Sequence, residues 1–375
     1  MDLDLTDDQE LLRETTAKFI EADCDLVQVR RLAESPTGLD DGYLAKGAEL
    51  GWFALLVPEA LGGGSISGHP LRDAAVIAEE RGRFLQPGPF VPANVVADAL
   101  ARGGTAEQQA QVLAGIIDGS VVATWAVADT SSHWSPGAGV QATPKDGGWQ
   151  LDGASGLVQD GHLADWILVL ATVPGGGPAQ FLLPASTPGL TVTALESLDL
   201  TRRFSTVTLS GVEAAASTAV GAPGECADLV ERELQVALAL TVAESVGAMD
   251  RIFEVTLDYA KARTAFGRPI GSFQAIKHVL ADTGLALEMA KAMSSAAARA
   301  VSDEDEWSGE VARMAKALVG DNGITLSQSC FQIFGGIGYT WEHDQHLYLR
   351  RLAMDALLYG EPAAQRERIV QLHQL

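Results

Sequence analysis

Arg263-Thr264-Ala265-Phe266-Gly267-Arg268-Pro269-Ile270-Gly271, followed by Ser272-Phe273-Gln274, is the stretch on which the reading of this chain turns. A long helical period closes at Tyr259 to Arg263, Gly267 and Pro269 turn the chain, and Ser272 is placed to cap the next helix. The corner therefore presents a cation beside an aromatic ring. A guanidinium at Arg263 can grip a pyrophosphate through two parallel hydrogen bonds, and Phe266 can lie against a planar ring. A plainer assignment of the same residues puts Arg263 on the helix carbonyls and Phe266 in the core.

Downstream, Gln332-Ile333-Phe334-Gly335-Gly336-Ile337-Gly338-Tyr339 ends another helix in glycines, which let a backbone come close to a second group. A helix C-cap explains such a run equally well. The run does not follow a strand, so a dinucleotide-fold reading of the glycine spacing fails. Cys330 beside it reads as a buried small side chain, not a nucleophile.

Outward from these two strings the helical period occupies Glu225 to Arg263, Ser272 to Ala300 and Ser308 to Phe334, with Ser308 a possible cap after the acidic loop Ser302 to Glu306. Before it, short apolar stretches alternate with turn residues: Val121–Ala128, Trp149–Leu151, Trp166–Ala171, Gln180–Leu183 and Thr206–Leu209, with a Gly-rich turn from Pro174 to Pro178. Earlier still come helices over Thr6 to Arg31, where Thr6 and Asp7 are possible caps, then Leu71 to Arg83 and Thr105 to Ile117. Pro58, Gly62 to Gly64, Pro87 and Pro89 break the chain between them. The expectation is an α+β chain: an N-terminal helical domain over 1–120, a middle antiparallel β domain over 121–222 and a C-terminal helical domain over 223–375.

The bulk numbers bound the function. A chain of 375 residues with 47% hydrophobic and 20% charged residues buries a large core and is not a disordered segment. The 49 acidic against 26 basic residues give a net charge of -23, which repels nucleic acid and anionic lipid alike. An anionic cofactor would need named local cations. Cys24, Cys226 and Cys330 lie far apart without metal spacing, and an odd count suits a reducing cytoplasm better than a disulfide framework. The acidic start leads straight into a helical pattern, so no signal peptide is expected, and no apolar run reaches the roughly 20 residues of a membrane span.

Taken together and in this order, the two strings resemble the FAD-contacting motifs of the acyl-CoA dehydrogenase family. The resemblance extends to Gly51-Trp52, Val57-Pro58-Glu59, Gly62-Gly63 and Glu79-Glu80-Arg81-Gly82-Arg83, which look like its N-terminal helical domain. It implies a C-terminal four-helix bundle and oxidation of an acyl-CoA thioester to its 2,3-enoyl form. In such enzymes a glutamate removes the proton next to the carbonyl, a hydride passes to FAD, and an electron-transfer flavoprotein is the suggested acceptor. It further implies that Arg263, Phe266, Gln274, Gln332, Gly335 and Gly336 reach the adenine-diphosphate half of an FAD bound in a neighbouring subunit, in at least a dimer.

The resemblance breaks at the base. Aligned on Gly360, the glutamate position holds Tyr359, and the alternative family position on the long helix holds Ala237, with Leu238 where an Arg usually follows. Glu361 would serve only through a gap, and Glu244 lies two turns from Ala237 on the same helix face. No residue is therefore assigned as catalytic. The flavin- and thioester-binding strings of the sheet domain are replaced by Val127-Ala128-Asp129-Thr130-Ser131-Ser132 and Leu157-Val158-Gln159-Asp160. An intact half that serves a neighbour beside an eroded half of its own resembles the base-lacking subunit of bacterial heterotetrameric (α2β2) acyl-CoA dehydrogenases, which act on bulky thioesters such as steroid side chains. The alternatives are a self-sufficient homotetramer using Glu244 or Glu361, and an inactive scaffold subunit. His343 and His346 lack a third ligand, so no metal is expected. Arg350-Arg351 stand where the family has an Arg-Asp pair, and Arg202-Arg203 are placed for CoA phosphates, a partner's acidic face or plain surface.

Overall fold

Thr6 opens the first helix by a reciprocal cap: its hydroxyl accepts from the Gln9 N–H and the Gln9 side chain accepts from the Thr6 N–H, both at 3.2 Å. The computed structural model describes residues 5–130 and 136–373. Its N-terminal helices are α1 (Asp7–Asp23), α2 (Leu26–Ala33), α3 (Tyr43–Glu49), α4 (Pro70–Arg83), α5 (Phe90–Gly103), and α6 (Ala106–Gln108) and α7 (Ala114–Ile117), which are joined by a π-turn. The single early helix expected from Thr6 to Arg31 is two, because Asp25 leaves the first and caps the second by accepting from the Gln28 N–H at 2.9 Å.

Seven strands follow: β1 (Ala123–Ala126), β2 (Val140–Lys145), β3 (Gly148–Gln159), β4 (Trp166–Thr172), β5 (Pro178–Pro184), β6 (Leu190–Leu195) and β7 (Phe204–Ala215). They form one sheet in the order β1-β4-β2-β3-β7-β6, with β5 paired to β4. Most pairs are antiparallel as expected. β4 instead runs parallel to two neighbours: to β1, from Ala123 opposite Trp166 to Ala126 opposite Val169, and to β2 at Gln141 opposite Thr172. Alternate inward residues such as Val140, Leu151, Ile167, Phe181 and Val207 make a core of the sheet's own.

The C-terminal part comprises α8 (Ala227–Ala262), a short hairpin of β8 (Thr264–Ala265) and β9 (Arg268–Pro269), α9 (Gln274–Ser302), α10 (Ser308–Phe334), α11 (Gln345–Leu357) and α12 (Pro362–Leu372). Helix α8 is buried without interruption from Val236 to Met249, so it runs through the middle of the molecule. Two glycines let α4 lie directly on it. A Cβ at Gly82 would stand 1.9 Å from the Glu244 carbonyl oxygen, and one at Gly247 would stand 1.8 Å from that of Glu79. This crossing brings the N-terminal Arg81 and the C-terminal Glu244 into one interior. Two expected caps are not caps: the Ser272 hydroxyl donates to the Pro269 carbonyl before α9, and that of Ser308 donates to Gln235 Oε1. No described helix is long and apolar enough to cross a membrane.

Candidate functional site

Helix α8 stops because the chain turns outward at Arg263 (φ -68, ψ 118), whose carbonyl accepts from the Ile270 N–H at 2.8 Å. The hairpin that results has Phe266 (φ +52) and Gly267 (φ +77) at its tip, the pair of positive angles a two-residue turn of this hand requires. Glycine takes that conformation without strain, whereas a bulky phenylalanine does so at a cost of about 1–3 kcal/mol. Phe266 is nevertheless 94% exposed, which sets aside its core assignment. Beneath it Phe273 meets the Phe266 ring edge to face at 6.2 Å and carries the Arg268 guanidinium 4.1 Å from its own centroid. Arg263 and Gln274 are exposed.

The second string lies close by. Gln332 is exposed on the last turn of α10, Gly335 adopts φ +63 and ψ -141, which a side chain disfavours, and Gly336 has open space on its Cβ side. The Tyr259 hydroxyl donates to the Phe334 carbonyl at 3.4 Å and the two rings stand 5.0 Å apart, tying the end of α8 to the end of α10. All six residues of the two strings thus sit at or near neighbouring helix ends, with Arg263, Phe266, Gln274, Gln332 and Gly336 facing outward.

The base candidates fare differently. Glu244 is 2% exposed and is held between two guanidiniums: Arg202 Nη2 donates to Oε2, and Arg81 Nε lies 3.9 Å from Oε1. Arg202 also binds Asp355, which accepts in turn from the Ser245 hydroxyl at 3.2 Å. Arg351 extends the network to Asp199 at 2.8 Å and to the Thr201 hydroxyl. A carboxylate held between two guanidiniums in the interior has its oxygens taken up by ion pairs, which speaks against a base at Glu244. Arg202 is likewise buried, 2% exposed, and its guanidinium is taken up by Glu244 and Asp355. Arg203 is spent on the carbonyls of Leu32, Ala33 and Ser35, at the end of α2.

Tyr359 is buried, takes φ +58 and stacks on Trp125 at 6.0 Å with 27° between the planes. Burial pushes its hydroxyl well above the ordinary tyrosine value, the wrong direction for a base. Ala237 is fully buried. Glu361 is exposed at the N-terminus of α12 and makes no side-chain cap bond. Between α8, α10 and α12 lies a cleft of 470 Å³ walled in part by Tyr359, Leu234 and Leu238; its Glu231 carboxylate is bound by both Nη atoms of Arg313 at 2.7 and 2.8 Å.

On the sheet side, Leu157 has φ +50 where β3 slips register against β7, Asp160 has φ +50 just past the end of β3, and the Gln159 amide donates to the Gly88 carbonyl at 2.9 Å. Burial raises the Asp160 carboxyl to about 6. Gln159 and Asp160 are buried whereas Leu157 is exposed; Ser131 and Ser132 lie outside the described residues. His343 packs on Phe334 at 4.3 Å and His346 stacks on Trp341 at 4.9 Å, and among the described residues no cluster could hold a metal ion. Sequence reasoning gave no role to Arg81, Asp199 or Asp355: Arg81 and Asp355 are charged positions buried on α4 and α11, and Asp199 lies in the loop between β6 and β7, where no local pattern marks it.

The comparisons with known proteins fall on the same elements. The descriptions "Acyl-CoA dehydrogenase, N-terminal domain" and "Acyl-CoA dehydrogenase, C-terminal domain" match residues 6–120 and 227–372. The acyl-CoA dehydrogenase IpdE2 of Mycolicibacterium smegmatis is 30% identical over 366 residues, covering 97% of this chain and 98% of the relative. Among solved structures, a variant of the Tcur3481-Tcur3483 steroid ACAD is similar with a TM-score of 0.87 and 28% identity, covering 98% of each chain. The ChsE4-ChsE5 complex from Mycobacterium tuberculosis is similar with a TM-score of 0.89 and 26% identity, covering 100% of this chain and 99% of that one.

Proposed function

The chain belongs to the acyl-CoA dehydrogenase family, FAD-dependent oxidoreductases acting on CH–CH bonds, and from that premise we propose that it is the subunit that completes the FAD site of a homologous, glutamate-bearing partner. The observation that carries this reading is the contrast between the two halves. No carboxylate stands free at either family base position, whereas Arg263, Phe266, Gln274, Gln332 and Gly336 are exposed together on the surface. The donor set fits the cofactor: a bare guanidinium for a diphosphate, an exposed ring for a planar one, and a glycine-ended helix for close backbone approach.

In such an assembly Arg263 and Gln332 hold and orient the adenine-diphosphate half, Phe266 excludes water from it, and Gly335-Gly336 give it room. FAD, when bound, supplies the hydride acceptor. Removal of the proton next to the thioester carbonyl falls to the partner's glutamate, since Tyr359 and Glu244 here cannot take it. The two heteromeric likenesses support an α2β2 arrangement and a bulky or steroid side-chain acyl-CoA as substrate, with an electron-transfer flavoprotein as acceptor and the cytoplasm as the setting. Arg263→Ala in the purified complex is expected to strip flavin from it. An unchanged flavin content would leave only the scaffold reading.

One observation favours a second reading. Glu361 is the single base candidate without a partner among the described residues, so a homotetramer would use it. Glu361→Gln then lowers turnover by roughly two orders of magnitude or more; under the partner reading it leaves turnover within about twofold.

A further inference from the structure

In the β8–β9 hairpin Ala265 stands opposite Arg268, and the Ile270 N–H closes on the Arg263 carbonyl, so residues 263, 265, 268 and 270 share one face. Arg263 and Arg268 are then diagonal neighbours, whose Cβ atoms stand about 7–8 Å apart in such a pair. Both are exposed, and among the described residues neither guanidinium has a hydrogen bond or an ion pair. Several other surface arginines are paired. Arg31, Arg102, Arg251 and Arg366 each take a carboxylate, as 49 acidic residues against 26 basic ones make easy. What sets Arg263 and Arg268 apart is that two bare guanidiniums are adjacent on one face, an arrangement that an anion from outside the chain explains. Arg268 is also fixed in orientation, its guanidinium stacked 4.1 Å from the Phe273 centroid, which leaves its N–H edge for a ligand and lowers the entropy cost of binding one.

We propose that Arg268 is a second anion-binding residue of the cofactor site, acting with Arg263 as a two-guanidinium clamp on a diphosphate group. The inference rests on the function proposed above. It is tested on the flavin-loaded assembly that this chain forms, by measuring the FAD dissociation constant at several salt concentrations for Arg268→Gln, Arg268→Lys and Arg263→Ala. Arg268→Gln is expected to weaken FAD about 10-fold or more and to flatten the dependence of log Kd on salt, since an exposed ion pair is screened by salt, with Arg268→Lys recovering most of both. A merely structural role would move Kd without moving the slope, and would overturn the proposal. Loss of flavin in Arg263→Ala alone would overturn the clamp and leave the completing subunit standing. Full flavin retention in both Arg263→Ala and Arg268→Gln would overturn the two together.

Discussion

Glu244 shows how far a single side chain's meaning depends on what lies beside it. Removing one partner of a buried ion pair leaves the other charge uncompensated, at about 3–5 kcal/mol. Glu244→Gln strands Arg202 and Arg81, so thermal denaturation should report a large loss of stability, while turnover per folded complex stays within about threefold. A catalytic role predicts the reverse. Tyr359→Phe keeps the stack on Trp125 and is expected to leave turnover of the complex within about twofold; a Tyr359 acting in proton transfer would lose about 100-fold or more. The sequence could place Glu244 on the right helix face, but its guanidinium partners are 42 and 163 positions away, and no local pattern pairs residues at that distance. The exposure of Phe266 was equally illegible, since a phenylalanine next to a glycine reads the same in a core and at a hairpin tip.

Elements built from period and turn chemistry were readable, and those that break a rule were not. Helices α4, α8, α9 and α10 follow their apolar spacing. Helix α5 was missed because Pro87 and Pro89 read as breakers, although both precede the helix, and Pro92 lies in its first turn, where the missing N–H costs nothing. Strand β6 was missed because its residues are mostly exposed, and β2 because only its first residues are inward. Two predictions belong to this scale. Phe266→Gly relieves backbone strain while enlarging the unfolded ensemble, so the stability of the free chain should change by less than about 1 kcal/mol in urea while the complex loses flavin. Lys316 of α10 is buried and donates to the Asp355 and Ala356 carbonyls at the end of α11, at 2.7 and 2.8 Å. Burial lowers its ammonium from 10.5 to about 7. Between those values the unfolded chain keeps a proton that the folded chain has shed, so stability rises with pH from about 7 to 10. Lys316→Met should flatten that rise in denaturant titrations across the same window.

At the scale of the whole molecule, the helix-sheet-helix order carried the family, and the distribution of groups over it carries the role. The interior that joins α4, α8 and α11 is occupied by Arg81, Glu244, Arg202, Asp355, Arg351 and Asp199, a network that fixes the helices against one another and contains no free carboxylate for chemistry. Two adjacent cations left bare are on the outside, at the hairpin that follows α8. A chain of net charge -23 that keeps two guanidiniums unpaired there presents them to an anion held elsewhere. The most direct test is the flavin content and acyl-CoA dehydrogenation of this chain purified by itself and then mixed with a homologous glutamate-bearing chain. The account predicts little FAD and no turnover alone, with both appearing on mixing; stoichiometric FAD and turnover in the single chain, retained after Tyr359→Ala, would contradict it.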